Sequence, residues 1–260
     1  MNKALSQEFE EELWENVNDF RLSDNKIKIF IAGDSTACNY PHNGNKSRYP
    51  RTGWGQVFGE RFSDKVQVVN CAISGRSSKS FMREPNFDFI RKNISGGDYL
   101  IIQFAHNDSK ESDKSRFTSP FDGTYQESIY NYINAARNAG ANPILATPVT
   151  RNIPDDNTLV PYCDAIKELG KNENIPVLDI YSVSNGHLKS GPEKHTLFYM
   201  RLQPKDERFT KFPDFIMSEY YENGSSDNTH LNIVGARYIS QVAADELKRL
   251  RHPLANYLLY

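Results

Sequence analysis

A serine follows an apolar run in the stretch Ala-Gly-Asp-Ser-Thr-Ala, at residues 32–37, where it is Ser35. Glycine, aspartate and serine are common turn residues, so the stretch alone also fits an ordinary turn. A serine at the carboxyl end of a strand can instead act as a nucleophile, if a base, an orienting carboxylate and donors for an oxyanion are present. The choice between a turn and a nucleophile therefore depends on partners elsewhere in the chain.

The sequence offers a full set of such partners. His230 can accept the serine proton, and Asp227, three residues earlier, can hold the imidazole by its other nitrogen. We expect this pair on a loop that leads into the last helix. The backbone N–H groups of Ser35 and Gly75 can point at an oxyanion, and the side-chain amide of Asn107 is a third donor. These residues predict nucleophilic acyl transfer, with Ser35, Asp227 and His230 as the catalytic residues.

The elements that must position these residues alternate between strand and helix. Apolar, β-rich runs predict strands at residues 27–33, 66–70, 98–104, 142–148 and 175–180. Helical spacing of apolar residues predicts helices at residues 124–140, 160–171 and 231–250. This rhythm is typical of an α/β fold with a parallel sheet and helices on both faces. In such sheets ligands bind outside the carboxyl ends of the strands, which is where Ser35, Gly75 and Asn107 fall.

The chain of 260 residues predicts one domain over residues 26–260 and an amphipathic helical extension over residues 1–25. Residues 184–226 carry glycine, proline and charge without a clear period, so we expect a long loop region beside the site there. The N-terminus lacks the apolar core of a signal peptide, and no stretch reaches the roughly 18 apolar residues of a membrane span. We therefore expect a cytoplasmic protein that does not bind membranes.

The composition narrows the classes of partner. The chain has 31 basic and 33 acidic residues, a formal net charge of −2, so we expect no nucleic-acid partner. Three cysteines without a paired motif predict reduced thiols, and Cys38 is a less favoured alternative nucleophile to Ser35. The six histidines are scattered and no metal-binding motif occurs, so we expect no metal and no cofactor.

Several motifs in order along the chain resemble the SGNH (GDSL) hydrolase superfamily, and within it the rhamnogalacturonan acetylesterase branch. They are GDSTA at residues 33–37, GWGQ at 53–56, ISGRSS at 73–78, FAHND at 104–108, SDNTHLN at 226–232 and RHPLANYL at 251–258. The resemblance implies a flavodoxin-like, three-layer fold with a five-stranded parallel sheet and a metal-free serine mechanism. It also implies deacetylation of pectic rhamnogalacturonan by Ser35, Asp227 and His230, with Ser35, Gly75 and Asn107 as the oxyanion hole.

Three further residues are candidates for binding the sugar. Trp54 can stack on a sugar ring, Arg76 can bind a uronate carboxylate and His106 can contact substrate. Two of them have plainer alternatives, which are packing for Trp54 and a surface salt bridge for Arg76. Ala105 replaces the glycine that usually opens the third motif of the superfamily, and a methyl group there would be strained if the backbone needed a positive φ.

Two other functions stay open at this point. One is an SGNH esterase that acts on a different acetylated sugar, such as a xylan fragment, or on an acyl chain. The other is a non-catalytic carbohydrate-binding protein of the same fold. The acetylated oligosaccharide is the expected partner, and the sequence gives no indication of the oligomeric state.

Overall fold

The structure is a computed structural model that describes residues 21–44 and 47–259. The predicted N-terminal helix falls mostly on residues 1–20, which lie outside the described residues. The strands are β1 (Ile27–Gly33), β2 (Val66–Asn70), β3 (Tyr99–Gln103), β4 (Asn142–Ala146), β5 (Val177–Leu178), β6 (Tyr199–Leu202) and β7 (Ser225–Leu231). The helices are α1 (Trp54–Val57), α2 (Ser78–Phe81), α3 (Pro85–Asn93), α4 (Thr124–Asn138), α5 (Val160–Glu173), α6 (Ile180–Ser190), α7 (Pro192–Thr196), α8 (Pro213–Ile216), α9 (Tyr220–Asn223) and α10 (Ile233–Arg249). No helix in these ranges is both long enough and apolar enough to cross a membrane.

Five strands form one parallel sheet, as the sequence predicts, and their order is β2-β1-β3-β4-β5. β1 is central to the site because it pairs with both β2 and β3. β5 ends earlier than expected, at Leu178, because Asp179 is the N-cap of α6 and its side chain accepts a hydrogen bond from the backbone N–H of Ser182 at 3.3 Å.

Both faces of the sheet are buried, which explains why its strands are continuously apolar in sequence. Ile29 and Ile31 of β1 pack with residues of α1 and α10 on one face. Phe30 and Ala32, which alternate with them, pack with residues of α4 and α5 on the other. The result is the predicted three-layer α/β architecture.

The region 184–226 is ordered into short elements, so the expectation of a long loop is wrong. It contains most of α6, all of α7, α8 and α9, and β6, which pairs antiparallel with β7. These elements have their own small apolar core, formed by Tyr49, Met200, Leu202, Phe209 and Phe215. Because the elements are short, no regular period marks them in the sequence.

The motif GWGQ packs α1 against the turn that carries Ser35. The backbone N–H of Trp54 donates to the carbonyl of Thr36 at 2.9 Å, and the indole N–H donates to Gln103 Oε1 at 2.8 Å. A Cβ on Gly53 would lie 2.2 Å from the Cys38 carbonyl oxygen. Trp54 is fully buried, so the prediction that it binds sugar is wrong and its role is packing.

We predict that Gly53→Ala destabilises the fold by about 3 kcal/mol, because the added methyl group meets rigid backbone atoms of the Ser35 turn. Gly59→Ala is the matched control, since a Cβ there meets only the Val68 side chain, at 3.8 Å or more. We expect the control to change the free energy of unfolding by less than about 0.5 kcal/mol. Urea unfolding followed by circular dichroism measures both, and equal stability of the two variants would contradict this account of the motif.

Candidate active site

A cleft of about 220 Å³ opens at the carboxyl edge of the sheet. Ser35 follows β1, Gly75 follows β2 and Asn107 follows β3, and all three line the cleft. His230 reaches it from β7, outside the sheet. The structure therefore brings these four predicted site residues into one place.

The turn after β1 holds Ser35 rigidly. The Asp34 carboxylate accepts hydrogen bonds from the backbone N–H and the hydroxyl of Thr36, at 2.9 and 2.8 Å. The Ser35 carbonyl oxygen accepts a hydrogen bond from the Tyr40 hydroxyl at 2.8 Å. The Ser35 hydroxyl makes no hydrogen bond to any residue in the described ranges, so it is available to a ligand in the cleft.

Asp227 and His230 lie within β7, not on the loop that the sequence led us to expect. They form a bulge between the strand pairs Arg201–Ser226 and Tyr199–Leu231, which places both side chains on the same side of the strand. Asp227 Oδ2 lies 2.6 Å from His230 Nδ1. Asp227 Oδ1 also accepts hydrogen bonds from the backbone N–H groups of Thr229 and His230, at 2.8 and 3.0 Å.

These contacts set the protonation of the Asp227–His230 pair. Burial opposes ionisation of Asp227, but hydrogen bonds from the His230 side chain and from the backbone N–H groups of Thr229 and His230 outweigh it and hold the pKa of Asp227 below its usual range. An ionised carboxylate accepts a hydrogen bond from Nδ1–H of His230. In the neutral imidazole this leaves Nε2 without a proton, so Nε2 can act as a base. No hydrogen bond joins His230 to Ser35. The distance between a catalytic base and its nucleophile often exceeds that of a hydrogen bond until the substrate binds, and then shortens.

Three hydrogen-bond donors of the cleft lack an acceptor in the part of the chain that the structure describes. They are the backbone N–H groups of Ser35 and Gly75 and one of the two Nδ2 hydrogens of Asn107. Gly75 has a φ of +77°, a conformation that glycine adopts without strain. Unpaired donors beside a free serine hydroxyl have the chemistry of an oxyanion hole.

Ala105 is accommodated without strain at the position where related motifs have glycine. Its φ is not positive, and its methyl group is fully buried in the core cluster on one face of the sheet. Asp108, two residues after His106, is also buried and accepts hydrogen bonds from the Ser78 and Thr118 hydroxyls. The substitution therefore leaves the loop that carries Asn107 intact.

The other two predicted sugar contacts differ from each other. His106 lines the cleft, and neither of its ring nitrogens has a hydrogen-bond partner among the described residues. The Arg76 side chain instead pairs with Glu84 and does not line the cleft. The plainer alternative, a salt bridge, thus describes Arg76, whose backbone carbonyl oxygen accepts a hydrogen bond from Asn107.

Cys38 is poorly suited to be a nucleophile. Its thiol is fully buried, and burial raises its pKa to about 12, so the thiolate is scarce at neutral pH. All three cysteines are free and buried. Within residues 21–44 and 47–259, no group of three or more His, Cys, Asp or Glu side chains is placed to hold a metal ion.

Sequence reasoning missed three cations that line the cleft, Arg51, Lys110 and Arg151. Arg151 pairs with Asp156 at 3.2 Å, whereas Arg51 and Lys110 have no carboxylate partner among the described residues. Lys110 and Arg151 follow β3 and β4, so the rule that ligands bind beyond strand ends could have found them. Arg51 precedes α1, and a backbone bridge joins it to Asn232, which directly follows β7.

Comparisons with known proteins show the family to which the chain belongs. Residues 31–209 match the GDSL-like lipase/acylhydrolase family. A rhamnogalacturonan acetylesterase of Bacillus subtilis strain 168, RhgT, is 36% identical over 239 residues, covering 90% of this chain and 94% of the relative. The chain therefore belongs to the GDSL-like lipase/acylhydrolase family and is a carboxylic ester hydrolase.

Further relatives and solved structures extend the comparison. A probable rhamnogalacturonan acetylesterase of the same strain, YesY, is 32% identical over 235 residues, covering 89% of this chain and 97% of the relative. The crystal structure of protein YxiM from Bacillus subtilis superposes with a TM-score of 0.69 at 26% identity, over 89% of this chain and 60% of that one. The acetylxylan esterase Axe2 of Geobacillus stearothermophilus shares the fold, with a TM-score of 0.57 at 15% identity over 86% of this chain and 96% of that one.

We predict that His106 makes the fold sensitive to acid. Burial lowers the pKa of His106 to about 4, so below pH 6.5 the unfolded chain binds a proton that the folded chain does not. The free energy of unfolding then falls as the pH drops from 6.5 to 4, by up to about 1.4 kcal/mol per pH unit from this group. Urea unfolding of the wild type and His106→Gln at pH 7 and pH 5 measures the effect. The variant should lose less stability, and equal losses would contradict the prediction.

Proposed function

We propose that this protein removes O-acetyl groups from acetylated rhamnogalacturonan oligosaccharides, and so takes part in pectin degradation. The observation that carries the proposal is one cleft that holds a histidine oriented by an ionised aspartate, together with a serine hydroxyl and three donors that have no partner among the residues the structure describes. The names of two relatives, at 36% and 32% identity over most of the chain, support the choice of substrate. The cytoplasmic location expected from the sequence stays a prediction.

In the proposed mechanism, Ser35 Oγ attacks the acetyl carbonyl carbon while His230 Nε2 accepts its proton. The ionised Asp227 stabilises the imidazolium that forms. The tetrahedral oxyanion accepts hydrogen bonds from the N–H groups of Ser35 and Gly75 and from the Asn107 amide. The intermediate collapses, the sugar hydroxyl leaves with the proton from His230, and water then hydrolyses the acetyl-enzyme with His230 again as the base.

The size of the cleft favours a short acyl group. Its volume of about 220 Å³ is below the roughly 300–1,000 Å³ typical of pockets that enclose larger ligands. A long acyl chain would also need an extended apolar wall, whereas three cations line this cleft. An acetyl ester on a polar sugar fits both properties.

The charge of the cleft favours an acidic oligosaccharide. Arg51 and Lys110 line it without carboxylate partners among the described residues, although the whole chain has a net charge of −2. The Arg51 guanidinium lies 4.7 Å from the centre of the Tyr40 ring, and its buried Nε has no hydrogen-bond partner within residues 21–44 and 47–259. Rhamnogalacturonan carries a carboxylate on each galacturonate residue, and guanidinium pairs well with carboxylate.

Acetate release tests the proposed function. We expect the wild type to deacetylate rhamnogalacturonan oligosaccharides faster than xylan oligosaccharides, and to hydrolyse p-nitrophenyl acetate. Ser35→Ala should abolish all three activities, and Cys38→Ala, which removes the buried alternative nucleophile, should retain them. Activity on p-nitrophenyl acetate alone would support the serine mechanism and contradict rhamnogalacturonan oligosaccharides as the substrate. If no activity depends on Ser35, the chain is better described as a carbohydrate-binding protein.

We predict that Arg51 selects the acidic form of the substrate. We compare kcat/KM for the oligosaccharide with free galacturonate carboxylates with kcat/KM for the same oligosaccharide in its methyl-esterified form. Arg51→Gln should lower the ratio of the first value to the second by about tenfold, which corresponds to one lost charge-assisted contact. Arg91→Gln is the control with the same charge change, because Arg91 is exposed, pairs with Asp88 and does not line the cleft. An unchanged ratio in Arg51→Gln would contradict a carboxylate contact at this residue.

A further inference from the structure

Lys110 lies beside the amide that the mechanism uses as an oxyanion donor. Its Nζ is 2.9 Å from Asn107 Oδ1, three residues back along the loop after β3. No carboxylate pairs with Lys110 in the part of the chain that the structure describes. Its hydrogen bond to Asn107 is therefore the interaction that fixes its ammonium group.

The partners of Asn107 assign the two ends of its amide. Nδ2 donates to the Arg76 carbonyl oxygen at 3.0 Å, and a carbonyl oxygen can only accept. Oδ1 faces Lys110, whose ammonium group can only donate. A flipped amide would place a nitrogen against the ammonium group and an oxygen against the carbonyl group, so both contacts oppose the flip. This orientation keeps the second Nδ2 hydrogen free for a ligand in the cleft.

A second cation also approaches Oδ1, but its charge is already matched. The Arg116 guanidinium lies 3.4 Å from Oδ1 and pairs with Asp113. Of the two cations, Lys110 is therefore nearer to Asn107 Oδ1, and no carboxylate among the described residues pairs with it. A positive charge on the oxygen of an amide draws electron density from its nitrogen, which makes the N–H groups stronger donors.

We propose that Lys110 is a positioning residue that orients and polarises the Asn107 amide as an oxyanion donor. The inference rests on the proposed esterase mechanism. Lys110 acts through Asn107, so its contribution exists in the transition state and requires the Asn107 side chain. A lysine that bound the substrate instead would lower KM for acidic substrates and would not depend on Asn107.

A double-mutant cycle on p-nitrophenyl acetate tests the proposal, because this ester carries no carboxylate that Lys110 could bind. Lys110→Met should lower kcat roughly tenfold with little change in KM, which is the size of one charge-assisted hydrogen bond. Asn107→Ala should lower kcat by roughly 10²–10³-fold. The double variant should be no slower than Asn107→Ala, since Lys110 has nothing left to orient.

Two further variants separate positioning from a general effect of charge or folding. Lys110→Arg should restore most of the lost kcat, because its donor can also reach Oδ1. Lys114→Met, four residues further on and outside the cleft, removes the same charge and should leave kcat unchanged. Multiplicative losses in the double variant, or a loss confined to KM, would overturn the role of Lys110. A wild type without Ser35-dependent hydrolysis would instead remove the esterase function, and this inference with it.

Discussion

The register of β1 between its two neighbours is the constraint on which the site depends. β1 pairs Ile31 with Asn70, the last residue of β2, and Gly33 with Gln103, the last residue of β3, so β1 and β3 end at one level and β2 ends two residues earlier. The chain leaves each strand there, and the polar residues that follow converge on one cleft. A slip of one residue would turn the side chains of β1 to the opposite face, and burial on both faces prevents it. Core packing thus fixes where Ser35 and the two other oxyanion donors stand.

The base reaches this edge by a separate route. His230 belongs to a two-stranded antiparallel sheet, formed by β6 and β7, outside the five-stranded sheet. Asn232 follows the end of β7. The Asn232 side chain caps α10 through the N–H of Val234 at 2.9 Å and donates to the Tyr199 carbonyl oxygen at 2.8 Å. The fully buried Asn232 side chain thus links the two-stranded sheet to α10, and these bonds fix the end of the bulge that orients His230.

Much of this arrangement could be predicted from the sequence. β1 and β2 have the predicted bounds, because continuous apolar runs that end in turn residues are strong signals. The short elements of 184–226 were missed, since their small core has no helical or strand period. Trp54 was misassigned because a Trp between two glycines gives no sign of which face is buried. Arg51 was missed because it reaches the cleft by a contact with Asn232, far away in the chain.

The reacting oxygen of the proposed mechanism belongs to Ser35, and covalent labelling tests this most directly. A fluorophosphonate probe reacts with serines that are activated as nucleophiles, and peptide mass spectrometry locates the adduct. We predict one adduct per chain, on Ser35, and none on the folded Ser35→Ala variant. His230→Ala should be labelled far more slowly than the wild type, because the base is gone. An adduct on another residue, or no adduct on the active protein, would contradict the account.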